Sequence, residues 1–299
     1  MSQSLFPGSL GTKRALDAHV YAPNTRRSTK PRRQELEVKL AALQQDYAEL
    51  HTAIFEAAQV HRRLCAPRLV RHGNFEIASE IFAVRHLPGD FFTVEETNHG
   101  VILGLGDICG KGLAAGMWTT HLVGLLGAHT TVTSEPETIV AGVNRDICGM
   151  TSAAPLASMF LAKLDPITGF VEYSSAGHPP AILLRANGNL ESLSEGGLLL
   201  GVLSDAAYVS GSFKLGAGDV LMIYSDGITE SLDNAGEEFG YARLEQQLRH
   251  AQIASADATG SADTMLFSVL GAVQDFAATR SLIDDMSLVI VRQDCPGQL

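Results

Sequence analysis

Four aspartate-containing motifs constrain this chain of 299 residues more than any other feature of its sequence. They are Pro-Gly-Asp90, Gly-Asp107-Ile-Cys-Gly-Lys-Gly, Tyr-Ser-Asp226-Gly and Asp284-Asp285-Met-Ser. Each motif lies at the end or the start of a short apolar run with the composition of a β-strand. A fold that aligns those strand ends would bring together carboxylates that are far apart in the sequence.

Clustered carboxylates predict a metal site. They repel one another and raise their own pKa values unless a cation neutralises them. Oxygen ligands favour Mg²⁺ or Mn²⁺. Two such ions about 3.5–4 Å apart can share a carboxylate and promote displacement at phosphorus, so hydrolysis of a phosphate ester is the expected chemistry.

Each aspartate taken singly also fits an ordinary turn. A lone Gly-Asp or Ser-Asp-Gly is most often an Asx turn, and four such motifs together are harder to explain that way. The segment Gly110-Lys111-Gly112 does not complete a P-loop, because Gly112 follows the lysine where Ser or Thr is required. We therefore exclude an ATP-binding P-loop.

Six motifs occur in a fixed order between about residues 50 and 293. They are Gly-Asp90-Phe-Phe, Gly-Asp107-Ile-Cys-Gly-Lys-Gly, Ser175-Ala-Gly-His-Pro-Pro180, Leu200-Gly-Val, Gly218-Asp-Val-Leu-Met-Ile-Tyr-Ser-Asp-Gly-Ile-Thr-Glu230 and Asp284-Asp-Met-Ser-Leu-Val-Ile-Val291. This set resembles the bacterial stage II sporulation protein E-like branch of the metal-dependent type 2C Ser/Thr protein phosphatases. The resemblance implies an α+β fold, with two antiparallel sheets packed as a sandwich, flanking helices and a dimetal site at one edge.

The same resemblance implies a ligand set. Asp90 and Asp107 would hold a first Mn²⁺ or Mg²⁺, and Asp107 would bridge to a second ion held by Asp226 and Asp284. The backbone carbonyl of Ile108 would be a further ligand. In the implied mechanism, a water activated by both metals attacks phosphorus without a phosphoenzyme intermediate.

Asp285 has two open roles, as a metal ligand or as a cap of the turn before the last strand. Three positions depart from the family pattern: Pro88 where Gly is usual, Ser287 where Thr is usual, and Cys109 where Ser is frequent. None of these changes removes a proposed ligand. We expect Cys109 to be a small packed side chain rather than a regulatory thiol.

Three more residues near the motifs have open roles. For His178 we favour a hydrogen-bonded structural histidine over a proton donor. Asn144 stands where the family that this chain resembles often has an asparagine after a long helix, and we favour a structural role for it as well. Lys111 fits two roles equally, attraction of a substrate phosphate or simple exposure to solvent.

The charge distribution sets the N-terminus apart. Residues 1–33 contain seven Lys or Arg and one Asp, a balance of +6, whereas the whole chain carries −11. Their Pro, Ser, Thr and Arg content predicts a disordered basic tail. We favour a solvated leader over a segment that binds nucleic acid or an anionic membrane.

Residues 34–66 are typical of an amphipathic helix. Leu36, Leu40, Leu43, Tyr47 and Leu50 recur at steps of three and four. The helix could dimerise as a coiled coil or pack on its own catalytic domain. We favour a homodimer in which this helix also regulates a catalytic domain at 67–293, which a short tail at 294–299 follows.

Hydrophobic patterning gives the remaining elements. It predicts helices over about 112–130, 135–149, 241–251 and 262–278. It predicts strands over 101–105, 158–163, 169–174, 181–184, 219–224 and 286–291, with a hairpin turn at Asn187-Gly188.

Composition indicates a cytoplasmic protein. No apolar run approaches the ~20 residues that span a bilayer, and the first 30 residues lack a signal-peptide core. The four cysteines show no CxxC spacing, so we expect reduced thiols.

The sequence therefore favours a Mn²⁺- or Mg²⁺-dependent phosphatase that acts on a phosphoserine or phosphothreonine protein. By family analogy, the substrate would be an anti-sigma-factor antagonist. A catalytically silent module that docks a phosphoprotein is the alternative. A phosphodiesterase or nucleotide hydrolase is disfavoured because no nucleotide-binding motif accompanies the site.

Overall fold

A computed structural model describes residues 30–64, 67–150, 154–255 and 261–293. The helices are α1 (Lys30–Leu64), α2 (Leu113–Thr130), α3 (Pro136–Gly149), α4 (Asp226–Thr229), α5 (Gly240–Ala254) and α6 (Ala262–Ala277). The strands are β1 (Leu69–His72), β2 (Phe75–Phe82), β3 (Phe91–Thr97), β4 (Gly100–Ile108), β5 (Ala157–Leu164), β6 (Phe170–Ala176), β7 (Ala181–Leu184), β8 (Leu190–Leu193), β9 (Gly196–Gly197), β10 (Gly211–Lys214), β11 (Val220–Tyr224) and β12 (Met286–Gln293). Most of the predicted basic tail, residues 1–29, and the predicted tail at 294–299 lie outside the described residues.

The strands form two sheets. The first sheet has the order β1-β2-β12-β11-β7-β8, and the second has the order β10-β6-β5-β4-β3. Neighbours along both orders pair antiparallel, which confirms the predicted architecture, whereas the short β9 pairs parallel with β6. Strand β12 lies between β2 and β11, so the C-terminal strand is internal to its sheet.

Most predicted elements form at the expected places. Strand β7 matches its predicted range, and the four helices predicted after residue 111 are present as α2, α3, α5 and α6. The predicted hairpin turn is confirmed because Gly188 has a φ of 86° and its N–H donates to the carbonyl of Arg185. Helix α1 begins four residues before its predicted start.

Both faces of the central strands are buried. In β4, Val101, Leu103 and Leu105 face the core between the sheets, whereas Ile102 packs against α2 and α3 in a second core. A third core lies between the outer face of the first sheet and helices α5 and α6. This four-layer packing explains why these strands read as continuous apolar runs rather than as alternating ones.

The chain divides into two units, Met1–Leu50 and His51–Leu299. The described part of the first unit is the first half of α1, where Arg33 pairs with Glu37 and Lys39 pairs with Glu35 at i,i+4 spacing. The side chains of the predicted heptad series are exposed along this half. They are Leu36, Leu40, Leu43, Tyr47 and Leu50.

None of the helices in the described ranges combines the length and the apolar character that a membrane crossing requires.

Phe160 tests the core between the sheets. Its ring is fully buried and stacks on Tyr173 with the ring centroids 5.1 Å apart. We expect Phe160→Ala to lower the free energy of unfolding by about 3–5 kcal/mol, because it leaves a cavity between the sheets. The matched control is Phe170→Ala. The Phe170 ring is 43% exposed, so this substitution should lower the free energy of unfolding by about 1 kcal/mol or less. Urea unfolding measures both values, and equal losses would contradict this assignment of the core.

Candidate metal centre

Strands β3 and β4 bring Asp90 and Asp107 together. Phe91 pairs with Gly106 across these strands, so Asp90 lies opposite Asp107 at the next position of the ladder. The two strands approach closely at Gly89. A Cβ at Gly89 would lie 3.1 Å from Oδ1 of Asp107 and 3.1 Å from the carbonyl oxygen of Ile108. The Asp107 carboxylate and the Ile108 carbonyl therefore border the same small space.

Strands β11 and β12 bring the other two motifs to the site. Tyr224 pairs with Leu288, and beyond this pair the N–H of Ser225 donates to the carbonyl of Ser287 at 3.0 Å. Asp226 then begins α4, and Asp284 stands two residues before the start of β12. A Cβ at Gly227 would lie 2.0 Å from the carbonyl oxygen of Asp285, so only glycine permits this approach.

Asp285 holds the loop that carries Asp90. Its Oδ1 accepts a hydrogen bond from the N–H of Val84 at 2.7 Å, and its Oδ2 accepts one from the N–H of Gly89 at 2.8 Å. Asp90 in turn accepts a hydrogen bond from the Ser287 hydroxyl. The start of β12 therefore fixes the loop and the carboxylate that it presents.

The four aspartates lie close to one another at different depths, with Asp107 and Asp284 half-buried and Asp226 exposed. Asp90 is 2% exposed, and burial, reinforced by the charge of Asp107, holds its pKa well above the ordinary value. Burial also raises the pKa of Asp107 to about 6, and the charges of Asp226, Asp284 and Asp285 act in the same direction. Partial desolvation and the charge of Asp284 raise the pKa of Asp226, although its side chain is exposed. These shifts reflect the electrostatic cost of gathering the carboxylates.

Lys111 neutralises part of this charge. Its ammonium group lies 2.7 Å from Oδ2 of Asp284 and donates to the carbonyl of Ile283 at 2.7 Å. The structure thus pairs Lys111 with Asp284. Across the described ranges, no three Asp, Glu, His or Cys side chains already form a metal-binding cluster. Carboxylate and carbonyl oxygens are the ligands that Mg²⁺ and Mn²⁺ prefer. In this structure, hydrogen bonds and the Lys111–Asp284 ion pair already engage some of these oxygens.

Cys109 does not pack as predicted. Its side chain is exposed, since it directly follows the end of β4 on the surface of the turn. Partial burial, with the charges of Asp107 and Asp226, raises the pKa of its thiol. The thiol is therefore held in its less reactive, protonated form.

The structural role predicted for Asn144 is confirmed. Its side chain is fully buried, its Nδ2 donates to the carbonyl of Leu203 at 2.8 Å, and its Oδ1 accepts from the N–H of Gly201 at 2.9 Å. His178 is also buried, and its Nδ1 lies 2.8 Å from the Ser158 hydroxyl.

Our sequence reasoning missed Ser158 and Ser225. Ser225 accepts a hydrogen bond from the N–H of Ser287 at 2.9 Å and so links β11 to β12. Its position directly before Asp226 was the available signal. Nothing in the local sequence marks Ser158, which becomes relevant only because β5 pairs with β4.

Comparisons with known proteins agree with this fold. The phosphoserine phosphatase RsbU of Bacillus subtilis (strain 168) is 24% identical over 249 residues, which cover 82% of this chain and 71% of RsbU. The solved SiaA-PP2C domain of Pseudomonas aeruginosa superposes with a TM-score of 0.70 at 16% identity, covering 83% of this chain and 99% of that domain. The catalytic domain of the serine/threonine protein phosphatase PstP, solved with two manganese ions, gives a TM-score of 0.52 at 15% identity over 74% of this chain and 99% of that domain.

These structural likenesses show the fold of PP2C phosphatases. Residues 97–294 match the sequence profile of the family described as Stage II sporulation protein E. This match covers most of the chain and confirms the resemblance inferred from the motifs. The chain therefore belongs to the stage II sporulation protein E family.

Proposed function

We propose that this chain is a metal-dependent phosphatase of phosphoserine or phosphothreonine proteins. The observation that carries the proposal is that Asp90, Asp107, Asp226 and Asp284 lie near one another, where the starts of β3 and β12 and the ends of β4 and β11 come together. The family membership and the name of RsbU, a phosphoserine phosphatase, support it.

The proposed cofactor is a pair of Mn²⁺ or Mg²⁺ ions, as in PstP with its two manganese ions. Asp90 and Asp107 would hold one ion, while Asp107, Asp226 and Asp284 would hold the other. The Ile108 carbonyl supports the set because it borders the same space as Asp107. Bound ions would neutralise the carboxylates, lower the pKa of water and stabilise charge at phosphorus.

For Asp285 we favour a positioning role over direct ligation. Both of its oxygens already accept backbone hydrogen bonds from Val84 and Gly89, which fixes the Asp90 loop. Ser287 then orients the Asp90 carboxylate. Lys111 would have to release Asp284 before that carboxylate could bind an ion.

The proposed substrate is a phosphorylated partner-switching protein such as an anti-sigma-factor antagonist. This part rests on the family and on RsbU. One observation favours the alternative of a silent docking module: Lys111 already pairs with Asp284, which would leave the site without a free carboxylate at that position. Turnover distinguishes the two functions.

Phosphate release from a phosphoserine peptide is the direct test. We expect turnover with Mn²⁺ or Mg²⁺, none with chelator, and a loss of at least about 100-fold in Asp226→Asn, because the variant removes a ligand charge. The control is Asp205→Asn, which makes the same chemical change at an exposed position outside the site. Phosphate release that persists both in the Asp226→Asn variant and in the presence of chelator would refute metal-dependent catalysis by this site.

Metal binding has a separate readout in the stability of the chain. The folded-state pKa of Asp107 is raised to about 6, so the metal-free fold binds more protons than the unfolded chain between about pH 4 and pH 6. Its stability should therefore fall as pH rises through this window, by roughly 1–3 kcal/mol.

We expect metal-free Asp107→Asn to lose less stability over the same window and to melt above the wild type at pH 7.5. The wild type should gain stability on addition of Mn²⁺, and the variant should gain little. Thermal melts with Mn²⁺ or chelator measure both effects, with Asp205→Asn as the control. A variant that responds to Mn²⁺ as the wild type does would contradict the assignment of Asp107.

Helix α1 is proposed to dimerise and to regulate the site. Leu36, Leu40, Leu43, Tyr47 and Leu50 are exposed at heptad spacing, which suits a second copy of the same helix. The second half of α1 lies near the Asp90 loop. A cavity of about 820 Å³ there is lined by residues of both segments, among them His61, Arg62, Arg85 and Pro88.

Leu43→Glu tests the dimer. A charge within the apolar seam should convert the dimer to a monomer and lower phosphatase activity. Val38→Glu is the matched control, because Val38 is 66% exposed, close to the 65% of Leu43, and lies off the heptad series. Light scattering measures the mass. An unchanged mass for Leu43→Glu, or an equal decrease in mass for both variants, would contradict dimerisation through this seam.

A further inference from the structure

His178 lies outside the carboxylate set but close to the strands that carry it. It follows β6 in the turn that leads to β7, and its side chain is 6% exposed. The turn is fixed at several points. The N–H of His178 donates to the Ser175 hydroxyl at 3.3 Å, the N–H of Gly177 donates to the carbonyl of Gly197 at 3.1 Å, and Pro179 follows.

One side of the imidazole contacts the second sheet. Nδ1 of His178 lies 2.8 Å from the Ser158 hydroxyl on β5. Ser158 is the direct partner of Asp107 in the β4–β5 ladder. Directly opposed residues of an antiparallel pair point to the same face, so Ser158 and Asp107 are side-chain neighbours. The ring therefore reaches the strand end that presents Asp107.

The chain that follows His178 enters the first sheet. The turn continues into β7, whose Ile182 pairs with Met222 of β11, while Nε2 of the imidazole has no hydrogen-bond partner among the described residues. Tyr224 ends β11 and stands two positions before Asp226. His178 thus lies between the strand ends that present Asp107 and Asp226.

The environment of His178 does not suit a proton donor. Burial lowers the pKa of its imidazole to about 3, and the polar backbone of Tyr224 only partly opposes this effect. The ring is therefore neutral near pH 7, with one N–H donor and one acceptor nitrogen. A neutral ring can bond to Ser158 without placing a charge in this buried position.

We propose that His178 is a positioning residue that joins the β5 and β11 strand ends and so sets the spacing between Asp107 and Asp226. The two aspartates come from different sheets, and both belong to the second metal site under the proposed function, on which this inference rests. The His178 side chain contacts β5, and the turn that holds it leads into β7, which pairs with β11. Its loss should therefore weaken metal binding more than it weakens the fold.

The test measures the Kd of Mn²⁺ by calorimetry in His178→Leu, His178→Asn and Ser158→Ala. We expect His178→Leu to raise the Kd about tenfold or more, as changes behind metal ligands commonly do. His178→Asn keeps a polar atom near the place of Nδ1 and should recover part of this loss. Ser158→Ala should raise the Kd less, and combining it with His178→Leu should add little, because both remove the same contact.

His129→Leu is the matched control. His129 also joins two elements, since its Nε2 lies 2.8 Å from Asp146 of α3, and it takes no part in the carboxylate set. This control should lower the melting temperature of the metal-free chain without changing the Kd of Mn²⁺.

Each other outcome has a distinct meaning. A wild-type Kd in His178→Leu, with only a lower metal-free melting temperature, would overturn the positioning role and leave the proposed phosphatase intact. A loss of kcat at saturating Mn²⁺, with an altered pH profile and an unchanged Kd, would overturn it in favour of a proton donor. If the wild type neither binds Mn²⁺ nor releases phosphate, the proposed function fails and this inference fails with it. If His178→Leu does not fold, an unchanged Kd in Ser158→Ala would still overturn the proposal.

Discussion

The hydrogen bonds at the start of β12 are the constraint on which the site depends. Asp285 binds the N–H groups of Val84 and Gly89, and Ser287 binds both the Asp90 carboxylate and the backbone of Ser225. Hydrogen bonds to a charged acceptor are worth about 1.5–3 kcal/mol each, so this short segment can hold the Asp90 loop against repulsion among the carboxylates. Strand β12, which directly follows Asp285, is hydrogen-bonded on both sides within its sheet, and this pairing restrains the segment.

The site imposes a cost that the rest of the fold must offset. Burial and mutual repulsion raise the pKa values of Asp90, Asp107 and Asp226, and the close approaches at Gly89 and Gly227 leave no room for larger residues. Three packed cores around the two sheets supply the compensating stability. A cation would relieve the repulsion, so stability and metal binding are coupled through the same carboxylates.

The fold was largely predictable because its signals are local. The apolar runs of β4, β11 and β12 are continuous, since both of their faces are buried, and turns mark their ends. Helices α2, α3, α5 and α6 were predicted because the spacing of their apolar residues is also a local signal. The parallel pairing of β9 was not predictable, because two glycines carry no strand signal and their partner β6 lies twenty residues away.

The site was predictable in its residue types and much less in its contacts. Strand ends identified where Asp107 and Asp226 would stand, since the position of a motif on a strand is a local property. The partners of Asp285 and Lys111 lie about 200 and 170 residues away in sequence, so only the pairing of β2 with β12 and the packing of one sheet against the other select them. Exposure of Cys109 likewise depends on which elements cover the turn after β4. Sequence motifs therefore assign the chemistry of this edge, whereas long-range packing decides which carboxylates are free to bind an ion and which hold the backbone.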